Sequence, residues 1–228
     1  LTSKVKANQS SIQIQLADMQ ENDVFIPNVK FKLYGTMTNE EYEGTTDEEG
    51  KINFLIQAQD QGIYQYKLVA DDKTIPNGYS EIDDDILVSV TFNADREISD
   101  ASDIQGPIWD AEKIEFTEGD FEYKTAYFGI GLNINEQDAY NFKVNLRENE
   151  KLTPIPGASY DITIDNGTTV RKISGRKTAN DGTISTRIIP TDDITITVKQ
   201  SKSVIGYVIN DQEQQIVLKR TNGVYKIV

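Results

Sequence analysis

The stretch Asn28-Val29-Lys30-Phe31-Lys32-Leu33-Tyr34 carries an apolar residue at every second position, with lysines between them. In an extended strand, this period of two puts the apolar side chains on one face and the charged ones on the other. The same alternation recurs in residues 11–16 and 193–198. Because these segments are rich in β-branched and aromatic residues, they predict half-buried antiparallel strands, and no segment carries a convincing helical pattern.

Turn signals separate these segments and indicate the fold class. Asn-Gly and Asp-Gly pairs favour the tight turns that join antiparallel strands. Such pairs occur at 77–78, 166–167, 181–182 and 222–223. Short strands at regular spacing therefore predict an all-β chain built from antiparallel β-sandwiches.

Three groups of residues occur twice along the chain, in the same order and at offsets of 129, 132 and 128 residues. Proline and glycine turns recur in any β-protein, but an ordered set of three matches is far less common. We interpret the matches as two copies of one β-domain in tandem. The matched segments are 26–31 with 155–160, 46–52 with 178–184, and 78–79 with 206–207.

The repeat places a boundary near residue 137. It predicts a first β-sandwich domain over 1–137 and a second over 138–228. The first copy is longer because it holds an acidic insertion at about 93–120, which contains Trp109. The connection between the copies is short, and a short connection favours domains arranged end to end rather than freely jointed.

The composition excludes several classes of function. The 228 residues include 23 Lys+Arg and 37 Asp+Glu, so the formal net charge is −14, and an acidic chain is repelled by nucleic acid and anionic membranes. The chain has no Cys and no His, which removes structural zinc sites, Ser-His-Asp triads and cysteine nucleophiles. We therefore expect no nucleic-acid partner, no catalytic residues, no bound metal and no cofactor.

The beginning of the chain and its hydropathy bear on its context. The sequence starts at Leu1 without a recognisable signal peptide. No run approaches the roughly 18 consecutive apolar residues of a membrane span. We expect an internal piece of a longer protein, or a trimmed mature one, with no membrane insertion in this segment.

The repeated motifs, in their order, resemble a known family. The second copy contains Pro154-Ile155-Pro156-Gly157-Ala158, then Thr178 to Gly182, then Gly206-Tyr207, and the first copy has a matching series that ends in Pro76-Asn77-Gly78-Tyr79. This series is similar to the collagen-adhesin B-type, or SpaA-like, domains of Gram-positive surface proteins and pilins. The resemblance implies two tandem prealbumin-like (Ig-like) β-sandwiches from an extracellular, cell-wall-attached protein.

Many domains of that family are tied internally by a Lys–Asn isopeptide bond, assisted by a buried acid. The resemblance places the family's lysine on Leu16 in the first copy and Leu146 in the second, and its acid near Leu68 and on Gln200. Leucine is not a nucleophile and glutamine cannot shuttle a proton. We therefore expect no isopeptide bond in either copy.

If the alignment with the family is shifted, a different lysine becomes the candidate nucleophile. A shift by one strand would put Lys143 or Lys30 in the reacting position. By alternation, Lys143 shares a face with Asn141 and Asn145, which indicates a solvated face rather than a buried site.

The densest carboxylate run is Glu81-Ile82-Asp83-Asp84-Asp85. Calcium sites need six to eight oxygens from a bent loop. The run lacks the Asp-x-Asp-x-Asp-Gly pattern with a distal Glu. We interpret it as a solvated acidic loop that protects a strand edge from aggregation.

Trp109, the single tryptophan, is the candidate ligand-binding residue. An aromatic side chain in an exposed segment can stack on a sugar or a peptide. The interpretation we favour is that Trp109 plugs the open end of the first sandwich, since large aromatic side chains are mostly buried.

Together these observations predict a structural stalk or spacer that supports adhesion at the bacterial surface, and not an enzyme. Its partners would be neighbouring domains of a longer surface protein. The alternative is that the segment itself binds a host extracellular protein or glycan through residues 93–120. A carboxylate-based hydrolase is a third hypothesis, which would require two carboxylates across a cleft.

Overall fold

The computed structural model describes residues 9–118, 121–135, 140–148, 151–167, 170–188, 193–222 and 224–228. The chain forms two compact units, 1–133 (unit 1) and 134–228 (unit 2), while the expected boundary at 137/138 lies outside the described residues. The prediction of an all-β fold is confirmed, because the regular structure in these ranges is strand apart from one 3-10 turn at Asp72–Thr74. None of the helical structure described is long and apolar enough to cross a membrane.

Unit 1 is a sandwich of two sheets. One sheet has the strand order β4-β1-β9-β8 and the other has the order β3-β2-β5-β6-β7. Neighbouring strands are antiparallel except for β1 and β9, which are parallel. The strands are β1 Gln9–Asp18, β2 Lys30–Gly35, β3 Glu41–Thr45, β4 Lys51–Gln57, β5 Gly62–Ala70, β6 Ile86–Phe92, β7 Ile98–Gln105, β8 Ile108–Glu118 and β9 Phe121–Leu132.

The core of unit 1 follows from the alternation in its strands. The inward residues of β1, β6 and β9 have almost no exposed surface, and polar residues occupy most positions between them in β1. Burying each large apolar side chain contributes about 1.5–3 kcal/mol before conformational entropy is counted. These residues are Ile12, Ile14 and Leu16 of β1, Ile86, Val88, Val90 and Phe92 of β6, and Ala126, Phe128, Ile130 and Leu132 of β9.

The stretch 93–120, expected as an insertion, supplies an edge strand to each sheet of unit 1. β7 pairs with β6 at the edge of the five-stranded sheet, and β8 pairs with β9 at the edge of the four-stranded sheet. Gly106 and Pro107 join the two strands where the chain crosses between the sheets. This stretch is therefore built into the sandwich rather than appended to it.

Unit 2 repeats the first seven strands of unit 1. Its sheets are β10-β13 and β12-β11-β14-β15-β16, which match the pairings of β1 with β4 and the order β3-β2-β5-β6-β7. Within the described ranges, unit 2 has no counterpart of β8 and β9. The strands are β10 Tyr140–Asn145, β11 Ser159–Asp165, β12 Val170–Lys177, β13 Thr183–Ile188, β14 Ile194–Lys202, β15 Gln214–Thr221 and β16 Val224–Ile227.

The repeated threonine of the sequence has the same role in both units. The Thr46 hydroxyl accepts the Val29 N–H at 2.9 Å, and the Thr178 hydroxyl accepts the Ala158 N–H at 3.0 Å. Both threonines are buried. Each one joins the end of a strand to the start of the strand that follows the Pro motif.

The repeated glycine also has the same role. Gly50 (φ +72°) and Gly182 (φ +75°) lie in turns that L side chains rarely adopt. Their carbonyl groups accept the N–H of Leu16 and of Leu146, each at 2.8 Å. An ideal Cβ on Gly50 would lie 2.3 Å from the Leu16 carbonyl oxygen, so only glycine allows the turn to approach the first strand this closely.

The repeated Gly-Tyr pair differs between the units. Tyr79 is 8% exposed, and its hydroxyl lies 3.3 Å from the buried carboxylate of Asp18. Tyr207, its counterpart, is 42% exposed. In unit 1 the loop after Tyr79 is fixed by a bond from the Ser80 N–H to the carbonyl of Asn133, directly after β9. The described part of unit 2 contains no counterpart of that strand.

Candidate functional site

Trp109 lies on the outer face of unit 1, by which we mean the face of the β4-β1-β9-β8 sheet that points away from the core. An ideal Cβ on Gly129 would lie 2.3 Å from the indole ring. Gly129 falls between the core residues Phe128 and Ile130, so its Cβ direction points outward. The expectation that Trp109 plugs the end of the core is therefore wrong: the ring packs flat over a glycine on the opposite side of the sheet.

A polar network lies beside the indole on the same face. The Tyr127 ring packs edge-on against Trp109 with 6.1 Å between ring centroids. The Tyr127 hydroxyl donates to the side-chain Oε1 of Gln15 at 2.8 Å, and Gln15 Nε2 donates to the backbone carbonyl of Glu49 at 2.9 Å. The network fixes the position of Tyr127, and Tyr127 in turn supports Trp109.

The surroundings of Trp109 combine features that bind sugars or peptides. Its ring is half-buried, and its indole Nε1 is buried with no hydrogen-bond partner in the described part of the chain. Asp110 and Glu112 follow on the same strand and are exposed. An aromatic face next to carboxylates is a candidate ligand surface, although no sequence motif pointed to this arrangement.

Replacing Gly129 with alanine should displace the indole. The added methyl would overlap the ring, and overpacking of this kind costs about 1–3 kcal/mol. We expect lower stability in urea and a red shift of the fluorescence of the single tryptophan. In a Trp109→Ala background the penalty should disappear; an equal penalty in both backgrounds would show that the indole does not occupy this position.

Glu40 gathers hydrogen bonds from three parts of unit 1. Its carboxylate accepts the Tyr42 hydroxyl at 2.8 Å, the Thr38 hydroxyl at 2.7 Å and the Gln57 N–H at 3.2 Å, and the Tyr66 hydroxyl lies 3.4 Å away. A carboxylate whose two oxygens both accept hydrogen bonds from the fold ties strands together and is a poor candidate for a general base. Sequence reasoning did not single out Glu40.

Burial raises the pKa values of three tyrosines in unit 1. The pKa of Tyr42 is raised to about 12 by burial and then by Glu40. The pKa of Tyr127 is raised to about 12 by burial and then by Asp110 and Glu112. Burial, followed by Glu40, also raises the pKa of Tyr66. All three hydroxyls therefore remain protonated donors at neutral pH.

These shifts predict a loss of stability in alkali. The unfolded chain releases the tyrosine protons near its ordinary pKa of about 10, before the folded chain does. The stabilisation is complete below pH 10 and is lost as the pH rises from there to about 12. Urea midpoints measured against pH should fall in this window, and a Tyr42→Phe/Tyr127→Phe variant should show a flatter fall. If the urea midpoint fell equally steeply with pH in the wild type and in the double variant, these two tyrosines would not be the source of the pH dependence.

The acidic run 81–85 does not form a cluster of ligands. Among the described residues, no three Asp or Glu side chains are placed to hold a metal ion together. Asp85 instead pairs with Lys67 at 2.7 Å between Oδ2 and Nζ. The run contributes negative charge at the surface next to β6.

The positions where the family resemblance places reacting groups are filled by side chains that cannot react. Leu16 and Leu68 are 0% and 1% exposed in the core of unit 1. Leu146 makes the same backbone bond as Leu16, to Gly182 instead of Gly50, and is half-buried. Gln200 is 6% exposed, and its side-chain oxygen accepts the Asn210 N–H at 2.9 Å. The alternative lysines, 30 and 143, are both exposed. The absence of isopeptide bonds stays a prediction.

Comparison with known proteins gives one family match and several structural likenesses. No curated protein sequence matches the chain. The Bacillus anthracis TIE protein is 19% identical over 91% of this chain and 31% of its own, with a TM-score of 0.34. A streptococcal ancillary pilin is 12% identical over 95% and 60%, with a TM-score of 0.32. The shaft pilin SpaA from Lactobacillus rhamnosus GG is 10% identical over 91% and 92%, with a TM-score of 0.31.

The chain thus spans about a third of the first of these proteins and three fifths of the second. The family match concerns residues of unit 2. The model of the SpaA prealbumin-like fold domain matches residues 140–228. Unit 2 is therefore a prealbumin-like domain of the SpaA type.

Proposed function

We propose that the chain is a spacer in a bacterial cell-surface protein, with its two units as domains arranged end to end. The observation that carries the proposal is the shared use of the repeated motifs. In both units the repeated threonine (Thr46, Thr178) and glycine (Gly50, Gly182) form hydrogen bonds that join a turn to a strand. The residues shared by the two copies therefore stabilise the fold. The SpaA-type match of residues 140–228 supports the same role.

The strand order of unit 1 suits it to carry force. Its first strand, β1, and its last, β9, are parallel neighbours with eight paired positions from Ser11–Thr125 to Asp18–Leu132. Pulling the two ends of the unit apart loads these hydrogen bonds together in shear. Each bond contributes only about 0.5–1.5 kcal/mol on its own, but bonds loaded together must break together.

Small-angle X-ray scattering tests the end-to-end arrangement. We expect an elongated particle with a narrow distribution of sizes. As a control, a variant with a Gly-Ser linker inserted at the junction should give a broad distribution. A compact particle, or a wild type as broad as the linker variant, would overturn the spacer proposal.

The mass of the denatured chain tests the absence of internal crosslinks. We expect the full sequence mass, because Leu16 and Leu146 cannot act as nucleophiles and Gln200 cannot shuttle the proton that the reaction requires. A mass lower by one ammonia per unit would place a reacting lysine elsewhere, with Lys143 and Lys30 the first to examine by peptide mapping.

A second candidate function is binding of a host extracellular protein or glycan through residues 93–120. The half-buried Trp109 beside Asp110 and Glu112 on the outer face favours it. Screening immobilised glycans and matrix proteins should then give a hit that Trp109→Ala abolishes. Leu55→Ala removes an exposed apolar side chain from β4, at the opposite edge of the same sheet, and should leave that hit unchanged. Equal loss in both variants would contradict a site at Trp109.

A further inference from the structure

Two carboxylates lie beside Trp109 on the outer face of unit 1. In the register of β8 with β9, Asp110 is opposite Gly129 and Glu112 is opposite Tyr127, so both occupy outward positions. Burial raises the pKa of Tyr127 first, and these two carboxylates add to the rise, which places them close to its hydroxyl. Both are exposed, and within the described ranges neither forms an ion pair with a lysine or an arginine.

The basic side chains of the same two strands are paired with other acids. Lys113, the one basic residue of β8, lies 3.0 Å from Glu115, and Lys124, the one basic residue of β9, lies 2.6 Å from Glu97. Lys51 projects from the outer face on β4, three strands away from β8. The carboxylates beside the indole therefore keep their negative charge, in a unit whose 10 Lys+Arg and 26 Asp+Glu give a net charge of −16.

An aromatic ring and a thioether lie next to these carboxylates. The indole of Trp109 packs on Gly129, and the side chain of Met19 lies over Gly131 in the same way. The two glycines are successive outward positions of β9, about 7 Å apart, so the two side chains that cover them adjoin. Trp109 and Met19 are both partly exposed. The face of a tryptophan ring attracts a cation that approaches within about 6 Å of its centre.

The polar groups around the indole indicate what a ligand must supply. The hydroxyl of Tyr127 and the amide of Gln15 are engaged with each other and with the backbone of Glu49. The groups that remain, Asp110 and Glu112, can only accept hydrogen bonds when they are ionised. A matching ligand therefore brings donors, and a positive charge strengthens each bond that they make to a carboxylate.

Among the side chains of proteins, arginine meets these requirements together. Its guanidinium group is planar, stacks on aromatic rings and presents its N–H donors in a fork that fits a carboxylate. A neutral sugar would leave the charge of both carboxylates uncompensated, and an acidic ligand would be repelled.

We propose that the outer face of unit 1 at Trp109 binds an arginine side chain of a partner protein, with the guanidinium stacked on the indole and donating to Asp110 and Glu112. The inference rests on the second candidate function, binding through residues 93–120, and narrows its partner to a basic segment of a polypeptide. Charge complementarity between that segment and unit 1 would speed the encounter and select against acidic partners.

The single tryptophan reports directly on this site. A blocked Gly-Arg-Gly tripeptide, titrated against the full chain at constant ionic strength, should change the emission of Trp109 saturably. The same peptide with citrulline, which has nearly the shape of arginine but no charge, should bind at least tenfold more weakly. A lysine peptide should bind several-fold more weakly than the arginine peptide, because an ammonium group is not planar and does not stack.

Two double variants separate this site from the general acidity of unit 1. Asp110→Asn/Glu112→Gln should weaken binding of the arginine peptide at least tenfold. Glu43→Gln/Asp72→Asn removes the same charge from exposed positions on β3 and on the 3-10 turn, and should leave binding unchanged. Trp109→Leu, measured by calorimetry, should weaken binding several-fold although both carboxylates remain.

Three results would overturn the proposal. One is no saturable response to the arginine peptide up to its solubility limit, and another is equal weakening by the two double variants. The third is a neutral glycan that needs Trp109 but binds Asp110→Asn/Glu112→Gln as well as the wild type. That third result would overturn the choice of arginine and leave the second candidate function standing, so the two ideas fail separately.

Discussion

Replacing Gly182 with alanine is expected to lower the free energy of unfolding of unit 2 by about 2–4 kcal/mol, from left-handed backbone strain and steric overlap together. Gly182 has φ +75°, and an ideal Cβ there would lie 2.5 Å from the Leu146 carbonyl oxygen and 3.1 Å from the Ile155 nitrogen. Because both are backbone atoms, rotation of a side chain cannot relieve the overlap. Gly50→Ala should cost unit 1 a similar amount.

Gly167 provides the matched control in the same unit. It has φ +80°, but no atom of the described residues lies within 4 Å of its Cβ position. Gly167→Ala should therefore cost only the backbone strain, about 1 kcal/mol. Urea unfolding of the wild type and of the Gly167→Ala and Gly182→Ala variants measures the difference in stability. Equal losses for the two variants would show that the turn at Gly182 does not pack closely against the backbone of Leu146.

The second large effect is expected at Phe128 in β9. Phe128→Ala should lower the stability of unit 1 by about 3–5 kcal/mol, the usual cost of removing a buried aromatic side chain. Phe128 is 0% exposed and lies opposite Ile14 in the parallel pair. The transition of unit 2 should not change, because Phe128 is buried in the core of unit 1.

Leu55 serves as the comparison for Phe128. It is 51% exposed on β4 of the same sheet, so Leu55→Ala should change stability by no more than about 0.5 kcal/mol. If Phe128→Ala were as mild as Leu55→Ala, β9 would not complete the core of unit 1.

The alternation of apolar and polar residues and the repeated Thr and Gly motifs were enough to predict the strands and the turns that join them. The alternation over residues 28–34 corresponds to β2, and that over 193–198 to the first half of β14. The Thr and Gly motifs could be matched because a turn needs particular residue types within a few positions of each other. These are short-range constraints, and they are visible in one sequence.

Long-range pairing could not be predicted in the same way. The parallel pairing of β1 with β9 joins residues more than a hundred positions apart, and alternation does not specify which strand lies beside which. The place of Trp109 depends on Gly129 in a neighbouring strand, and the bonds of Glu40 depend on Gln57 of β4. The sequence of 93–120 therefore looked like an insertion although it forms two edge strands.

Pulling single molecules from both ends tests the central claim that the chain is a mechanical spacer of two units. We expect two unfolding events, with length gains of at most about 480 Å for unit 1 and about 340 Å for unit 2 at about 3.6 Å per residue. Unit 2 should yield first, because β10 has one neighbour in the described chain, and unit 1 should resist through the β1–β9 shear pair. A single event, gains shortened by a crosslink, or unit 1 yielding first would contradict the account.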